Sequence, residues 1–170
     1  MKYKQFIHNF FILFTFMFIL YGLIIYFFYK TPLSTLWIYN AIEKKSYYAN
    51  QINEKKLVFL GGSNVHFGIL AKEVQEELNV PTVNLGTHAG LLVSYIFHYG
   101  KKVLKKGDIV IVPLEYGLIT WNNESAAETR RDYLLTWDKD YFDTLNFLDK
   151  LKNIYSISPV YFLKAVYQYF

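Results

Sequence analysis

Residues Gln5–Tyr29 form an uncharged, strongly apolar run of about 25 residues, and no other feature of the sequence restricts the fold so much. A bilayer core about 30 Å thick needs about 20 apolar residues of α-helix to cross it, so this run is long enough to span a membrane. A cleaved secretory signal has a shorter apolar core that ends in small residues. Here the run ends in Tyr26-Phe27-Phe28-Tyr29-Lys30. We therefore interpret residues 1–30 as an uncleaved membrane anchor, whose first partner is the lipid bilayer.

The charges beside the anchor leave its orientation open. Lys2 and Lys4 precede it, and Lys30, Lys44 and Lys45 follow it, so the positive-inside rule favours neither side. The chain has no cysteine, which fits either compartment. From the functional argument below, we expect a single-pass protein of the cytoplasmic (inner) membrane, with the residues after the anchor in the periplasm or outside the cell.

After a polar connector at residues 31–55, short apolar segments alternate with amphipathic ones. The apolar segments are Leu57–Leu60, Pro81–Leu85 and Asp108–Pro113, and helical patterns fill Leu70–Leu78 and Gly90–Lys106 between them. Alternating strands and helices with short links are typical of parallel βαβ units. The sequence therefore predicts an α/β fold over 56–170, with a short parallel sheet of about three strands and helices on its faces. Its C-terminal part is predicted to be helical, over Tyr141–Tyr155 and Val160–Phe170.

The charge pattern and the residue spacings argue against nucleic acid, metal ions and other cofactors as partners. The net charge is only +4, and the densest basic cluster lies at the predicted end of a helix, where cations complement the helix dipole. That cluster consists of Lys101, Lys102, Lys105 and Lys106. No base-stacking motif accompanies it, so nucleic acid is not an expected partner. Histidines and carboxylates have no metal-ligand spacing, and we expect neither a metal nor another cofactor.

The first strand ends in Gly61-Gly62-Ser63, at the start of a helical pattern. Reacting groups in α/β folds gather beyond the C-terminal ends of strands, and the glycines allow a sharp turn. Ser63 alone is compatible with three roles: a helix N-cap, a nucleophile, or part of a phosphate-binding loop. The glycine spacing matches neither a P-loop nor a dinucleotide-binding fingerprint, so the third role is the weakest.

A second glycine turn, in VNLGTHAG at 83–90, follows the next strand. Together, VFLGGSN at 58–64 and VNLGTHAG resemble blocks I and II of the SGNH (GDSL-type) hydrolase superfamily, and GDIVIVPLEY at 107–116 resembles its next strand. The resemblance covers about a third of the chain. It implies that residues 56–170 form a partial three-layer α/β/α domain. It also implies Ser63 as nucleophile, with the N–H groups of Ser63 and Gly86 as oxyanion hole. It also implies acyl-ester chemistry, as an esterase or O-acyltransferase, on cell-envelope glycans.

The chain departs from the family pattern at three points. Gly62 stands where the family has aspartate, and the segment Pro113-Leu114-Glu115-Tyr116, where the family has Gly-x-Asn-Asp, contains no amide side chain for the oxyanion hole. The Asp-x-x-His near the family's C-terminus is absent, because the last histidine is His98. A serine hydroxyl needs an adjacent base to become a good nucleophile. We therefore expect the chain, as given, to represent the N-terminal part of such a domain and to be a weak or inactive enzyme.

Other residues of this edge have weaker assignments. Four residues are predicted to contact substrate: Gly62, Asn84, His88 and Glu115. Glu115 is the best acidic candidate, and the alternative for it is a solvated or capping carboxylate. His66 follows Ser63 by three residues and is a poor candidate base. His98 is expected to pack inside a helix, and His8 lies in the anchor.

A second function from a different class remains open. The apolar C-terminal segment Val160–Phe170 would need a surface to cover it. On this interpretation the chain is a non-catalytic, membrane-tethered interaction module, and a membrane acyltransferase is its partner.

Overall fold

A computed structural model of the protein describes residues 2–30, 35–120 and 128–167. The chain divides into two compact units. One consists of Met1–Pro32 with Leu134–Phe170, and the other of Leu33–Tyr133. We call them the anchor unit and the sheet unit. This division groups the C-terminal helices with the N-terminal helix, whereas the sequence analysis placed them in one domain with the sheet.

The sheet unit contains the three parallel strands that the sequence predicted. They are β1 (Leu57–Gly61), β2 (Thr82–Gly86) and β3 (Ile109–Ile111), in the order β2-β1-β3. The register pairs Gly61 with Gly86, so both predicted glycine turns leave the sheet at the same level. This level is the C-terminal edge, where ligands of α/β folds gather.

Helices precede, connect and follow the strands of the sheet unit. They are α2 (Leu36–Gln51), α3 (Ser63–Gly68), α4 (Ala71–Leu78), a 3₁₀ turn (Ala89–Leu91), α5 (Leu92–Val103) and α6 (Tyr116–Thr120). The next helix, α7 (Glu128–Trp137), begins in the sheet unit and ends in the anchor unit. In α5, the apolar residues recur at helical spacing and one face is buried, including Ile96. Gly100 on this helix lies against Leu60, so that a Cβ there would be 2.7 Å from the leucine. The helix therefore packs closely on β1.

A buried ion pair joins the beginnings of two neighbouring strands. Lys56 Nζ lies 2.7 Å from Asp108 Oδ2, and both side chains are almost fully buried. Asp108 also accepts the backbone N–H groups of Lys56 and Lys105. Burial acts to raise the pKa of Asp108, but these hydrogen bonds and the lysine charge outweigh it, so its pKa is lower than usual.

The anchor unit is helical. It contains α1 (Lys2–Phe28), α8 (Lys139–Thr144), α9 (Phe147–Tyr155) and α10 (Pro159–Tyr167). Helix α1 is long and apolar enough to cross a membrane. Its second half packs on the C-terminal helices: the Tyr155 ring stacks on that of Phe18 with centroids 4.0 Å apart.

Several predicted boundaries differ from the structure. The single helix predicted over Tyr141–Tyr155 is wrong, because Leu145 is extended and Asn146 caps a new helix by accepting the Asp149 N–H at 2.9 Å. The polar pattern of the connector predicts partly helical structure over Leu33–Asn53, and the structure has α2 there. The polar sequence at 121–129 predicts a loop; residues 121–127 lie outside the described part of the chain, and Glu128 and Thr129 begin α7.

Candidate active site

Ser63 is the first residue of α3 and lies directly beyond β1. Its hydroxyl donates a hydrogen bond to Glu115 Oε1 at 2.7 Å, and the Asn64 N–H donates to the same oxygen at 2.7 Å. The Asn64 side chain also donates to the carbonyl of Pro113 at 2.8 Å, which fixes the segment after β3. The structure therefore brings together Ser63 and Glu115, two residues that the sequence placed at the same sheet edge.

Glu115 is a carboxylate held by hydrogen-bond donors. Burial acts to raise its pKa, but hydrogen bonds from Asn64 and Ser63 and the proximity of His88 outweigh burial, so the pKa of Glu115 is lower than usual. The carboxylate is thus charged at neutral pH. A general base works best when its pKa is near the working pH. Glu115 is well placed to orient the Ser63 hydroxyl and poorly suited to remove its proton.

His88 precedes the 3₁₀ turn and caps it. Its Nδ1 accepts the Gly90 N–H at 3.0 Å, so the neutral ring carries its proton on Nε2. Burial lowers the pKa of His88, although the charge of Glu115 acts in the opposite direction. In this tautomer Nε2 is a donor, and the ring is arranged to donate a hydrogen bond at Nε2 and not to take a proton from Ser63.

A lysine that the sequence analysis did not single out lies beside the second glycine turn. Lys45, on α2, places Nζ 2.6 Å from the Gly86 carbonyl, 3.0 Å from His66 Nδ1 and 3.1 Å from Asn84 Oδ1. Two of its N–H groups thus donate to Gly86 and Asn84, and His66 Nδ1 accepts the third when the His66 proton is on Nε2. Burial lowers the pKa of Lys45 to about 8. No local pattern marked Lys45, because its contacts lie about 20 to 40 residues away in sequence.

Asn84 uses every polar atom of its side chain within the site. Its Nδ2 donates to the carbonyls of Val65 and Ile69, at 2.7 and 2.8 Å, and Oδ1 accepts the Gly86 N–H at 2.8 Å as well as Lys45. Asn84 was predicted to contact substrate. In the structure it joins β2 to α3, which is a positioning arrangement.

The two predicted oxyanion donors both face groups of the chain itself. The Gly86 N–H donates to Asn84 Oδ1 at 2.8 Å, and the Ser63 N–H lies near Glu115 and helps to lower its pKa. The space over Gly62 is filled too, since a Cβ there would lie 2.9 Å from Glu115 Oε1 and 3.1 Å from the Cβ of Ala89. The oxyanion role of Gly86 and the substrate contact of Gly62 stay predictions, and they require these neighbours to move.

Gly86 itself approaches α3 very closely. A Cβ there would overlap the backbone nitrogen of His66 and lie 2.6 Å from the carbonyl carbon of Val65. Only glycine fits at this position. The glycine that the resemblance assigned to catalysis therefore has a packing reason to be there as well.

The remaining histidines are positioned as follows. His66 points at Lys45 and the Gly86 carbonyl, with Nδ1 3.1 Å from that oxygen. Burial is the main cause that lowers its pKa. The Trp37 ring meets His66 and His88 edge to face, at 5.7 Å from each. His98 lies on α5 with its ring 5.9 Å from that of Tyr95. Within the described ranges, no group of three or more His, Asp or Glu side chains is arranged to hold a metal ion.

No protein-family model, curated protein or solved structure matches this chain.

Proposed function

We propose that the chain is a membrane-anchored, SGNH-like esterase or O-acyltransferase domain that acts on cell-envelope glycans and has Ser63 as nucleophile. On this proposal the sheet unit belongs to a three-layer α/β/α fold and lies outside the cytoplasmic membrane, with α1 spanning the bilayer. The observation that supports it most is the 2.7 Å hydrogen bond from Ser63 Oγ to Glu115, at the sheet edge where two glycine turns meet.

The chemistry would begin with attack of Ser63 Oγ on the carbonyl carbon of an acyl ester. The serine proton passes to Glu115, its hydrogen-bond partner. The bond to the departing alcohol then breaks, and the alcohol oxygen takes up that proton. The acyl group then passes from Ser63 to water or to a glycan hydroxyl. Developing negative charge on the carbonyl oxygen would use the Ser63 and Gly86 N–H groups, after Glu115 and Asn84 release them.

Proton removal is the weak step in this arrangement. Among the described residues, the partner of the Ser63 hydroxyl is Glu115, whose lowered pKa makes it a weak base. His88 carries its proton on the wrong nitrogen, and His66 points at Lys45. We therefore expect slow acyl transfer by this chain.

Labelling with a fluorophosphonate probe tests the proposal. The full chain in detergent micelles should be labelled slowly at Ser63, and the Ser63→Ala variant should lose that label. Ser46→Ala is the matched control, since Ser46 is also a half-buried serine of the sheet unit. If the mapped label is absent from Ser63, or if Ser63 reacts no faster than Ser46, the nucleophile assignment is wrong.

A non-catalytic, membrane-tethered module is the second candidate. The Gly86 N–H already has an acceptor in Asn84, and the Ser63 hydroxyl has one in Glu115, as expected for a turn that only needs to be stable. On this alternative the sheet is a scaffold and a membrane acyltransferase is the partner. A lack of labelling at Ser63, together with a lowered melting temperature for Ser63→Ala, would favour the module.

A further inference from the structure

The hairpin formed by α9, the turn 156–158 and α10 follows α1 for part of its length. Shortly before the hairpin, Asp143 of α8 accepts a hydrogen bond from the Tyr26 hydroxyl. On the hairpin itself, Tyr155 donates to the Phe18 carbonyl at 3.0 Å, and the ring of Tyr161 lies 6.5 Å from that of Tyr29. The hairpin thus runs from the level of residue 26 on α1 to that of residue 18 and returns. This distance is about 12 Å at about 1.5 Å per residue.

The uncovered part of α1 has the length of a membrane crossing. Side chains from Tyr3 to Leu20 are all exposed, whereas burial begins with the next turn of the helix. This bare part is about 27 Å long at about 1.5 Å per residue, close to the roughly 30 Å of a hydrocarbon core. If the bare part fills the core, the tip of the hairpin lies at the membrane boundary. If the whole of α1 is centred in the bilayer, the tip lies deeper.

The tip of the hairpin satisfies its own polar groups. Ser156 donates its N–H and its hydroxyl to carbonyls of the last turn of α9, and the Ile157 carbonyl accepts the Tyr21 hydroxyl. Pro159 has no N–H, and Ser158 accepts two N–H groups of α10 through its carbonyl and its hydroxyl. Such internal pairing is what a backbone needs where water is scarce.

Large apolar side chains of the hairpin are nevertheless exposed. On α9 these are Phe147 and Leu148, and on α10 they are Val160, Leu163 and Tyr167. The α10 residues recur at helical spacing and lie on one face of the helix together with Lys164. An apolar face with a lysine at its margin is typical of helices that lie in a membrane interface, since the lysine stem can reach toward the headgroups.

We propose that this hairpin enters the interface of the bilayer tip first alongside α1, with Val160 in contact with acyl chains and Leu148 nearer the headgroups. The proposal rests on the proposed spanning of the membrane by α1. Its occupant is lipid because the tip meets α1 at the end of the bare part, at the depth that the contacts with Phe18 and Tyr21 set, and the exposed Val160 follows the tip directly. The protein then has two membrane contacts, a spanning helix and an interfacial hairpin.

Single-cysteine variants test the lipid contact, since the chain has no native cysteine. An environment-sensitive fluorophore is attached at Leu148→Cys and Val160→Cys in the full chain, reconstituted into phosphatidylcholine nanodiscs. The matched aqueous control is Leu78→Cys on α4, and the matched lipid control is Phe14→Cys on α1. The four native side chains have similar exposures, 66%, 63%, 57% and 60%. The quencher is phosphatidylcholine with a nitroxide near the headgroup end of its acyl chain.

The expected result is quenching at residue 160 that approaches the quenching at residue 14, weaker but clear quenching at residue 148, and little at residue 78. If residue 14 is quenched while residues 148 and 160 behave like residue 78, the hairpin proposal is overturned and the anchor proposal stands. If residue 14 is not quenched, the spanning of the membrane by α1 is wrong, and the lipid contact of the hairpin falls with it.

Discussion

Asn84 Oδ1 accepts the Gly86 N–H at 2.8 Å, so the side chain of one β2 residue occupies the backbone donor two residues later. The same oxygen accepts Lys45 Nζ, and the amide nitrogen holds two carbonyls at α3. A side chain with four internal bonds couples β2, α2 and α3. It also determines whether the Gly86 N–H can bind anything else.

Replacement of Asn84 by alanine should lower the stability of the sheet unit. Because two carbonyls, one N–H and Lys45 lose their partner, we expect a loss of about 2 kcal/mol or more in the free energy of unfolding. Urea unfolding of the full chain in micelles, followed by tryptophan fluorescence, measures it. Asn84→Asp keeps the acceptor for Gly86 and Lys45 and should cost less. Equal losses in the two variants would contradict this assignment.

Lys45 should titrate well below the other lysines. Burial lowers its pKa to about 8, and competitive amine acylation across a pH series, with peptide mass spectrometry, yields the midpoint for each lysine. In Asn84→Asp a new negative charge faces Nζ, so the pKa of Lys45 should rise. A midpoint for Lys45 that matches those of the exposed lysines would refute the buried contact.

The same pKa predicts how stability depends on pH. The folded-state pKa of Lys45 is about 8 and its ordinary value is 10.5, so between these values the unfolded chain binds a proton that the folded chain does not. The contribution of Lys45 to stability therefore rises as pH increases from about 8 to 10.5. The free energy of unfolding is measured against pH for the unmodified chain and for Lys45→Met. The difference between the two curves isolates the contribution of Lys45 from that of other titrating groups. A slope of the opposite sign in the difference curve would be inconsistent with a lowered pKa.

Gly86→Ala should be among the most damaging single substitutions in the chain. Its Cβ would overlap the backbone of α3, where no side-chain rotation can relieve the clash, so we expect a loss of about 3 kcal/mol or more. Gly68→Ala is the matched control, because no atom lies within 4 Å of its Cβ position. Thermal unfolding by circular dichroism compares the two. Similar melting temperatures would show that α3 can move away from β2.

Removal of one partner of the Lys56–Asp108 pair should lower the free energy of unfolding much more than replacement of both partners by apolar residues. Asp108→Asn leaves a buried lysine charge without its counterion, and we expect a loss of about 3–5 kcal/mol. The double variant Lys56→Met with Asp108→Leu should recover much of that loss, since no buried charge remains. Urea unfolding of the single and double variants measures the difference. Losses that simply add would argue against direct coupling.

Acid should also weaken this pair. The pKa of Asp108 is lowered in the folded state, so its contribution is present above its ordinary pKa and is lost as pH falls through the folded-state value. The Asp108→Asn variant should lack this acid-dependent part of the unfolding curve.

The strands were predictable from the sequence because each is a short apolar run next to glycine, and parallel strands bring their ends to one edge. For the same reason the approach of Ser63 and Glu115 could be foreseen. The position of Lys45 could not be predicted, since its acceptors belong to strands and helices distant in sequence. In α7, Arg130, Arg131 and Asp132 are buried, and a hydropathy pattern places such residues at the surface. The start of α9 did carry a signal that was missed, an Asn146 cap with Asp149 three residues later.

Gly22 lies on the face of α1 that receives Tyr155, and a Cβ at Gly22 would overlap the Tyr155 hydroxyl. Helices that pair within a bilayer favour small residues, because these allow their backbones to approach. Here the space beside Gly22 is already occupied by the Tyr155 ring of the same chain. Self-association of α1 through Gly22 would require the ring to withdraw, so an oligomer built on α1 would use the bare part of the helix, Tyr3 to Leu20, instead.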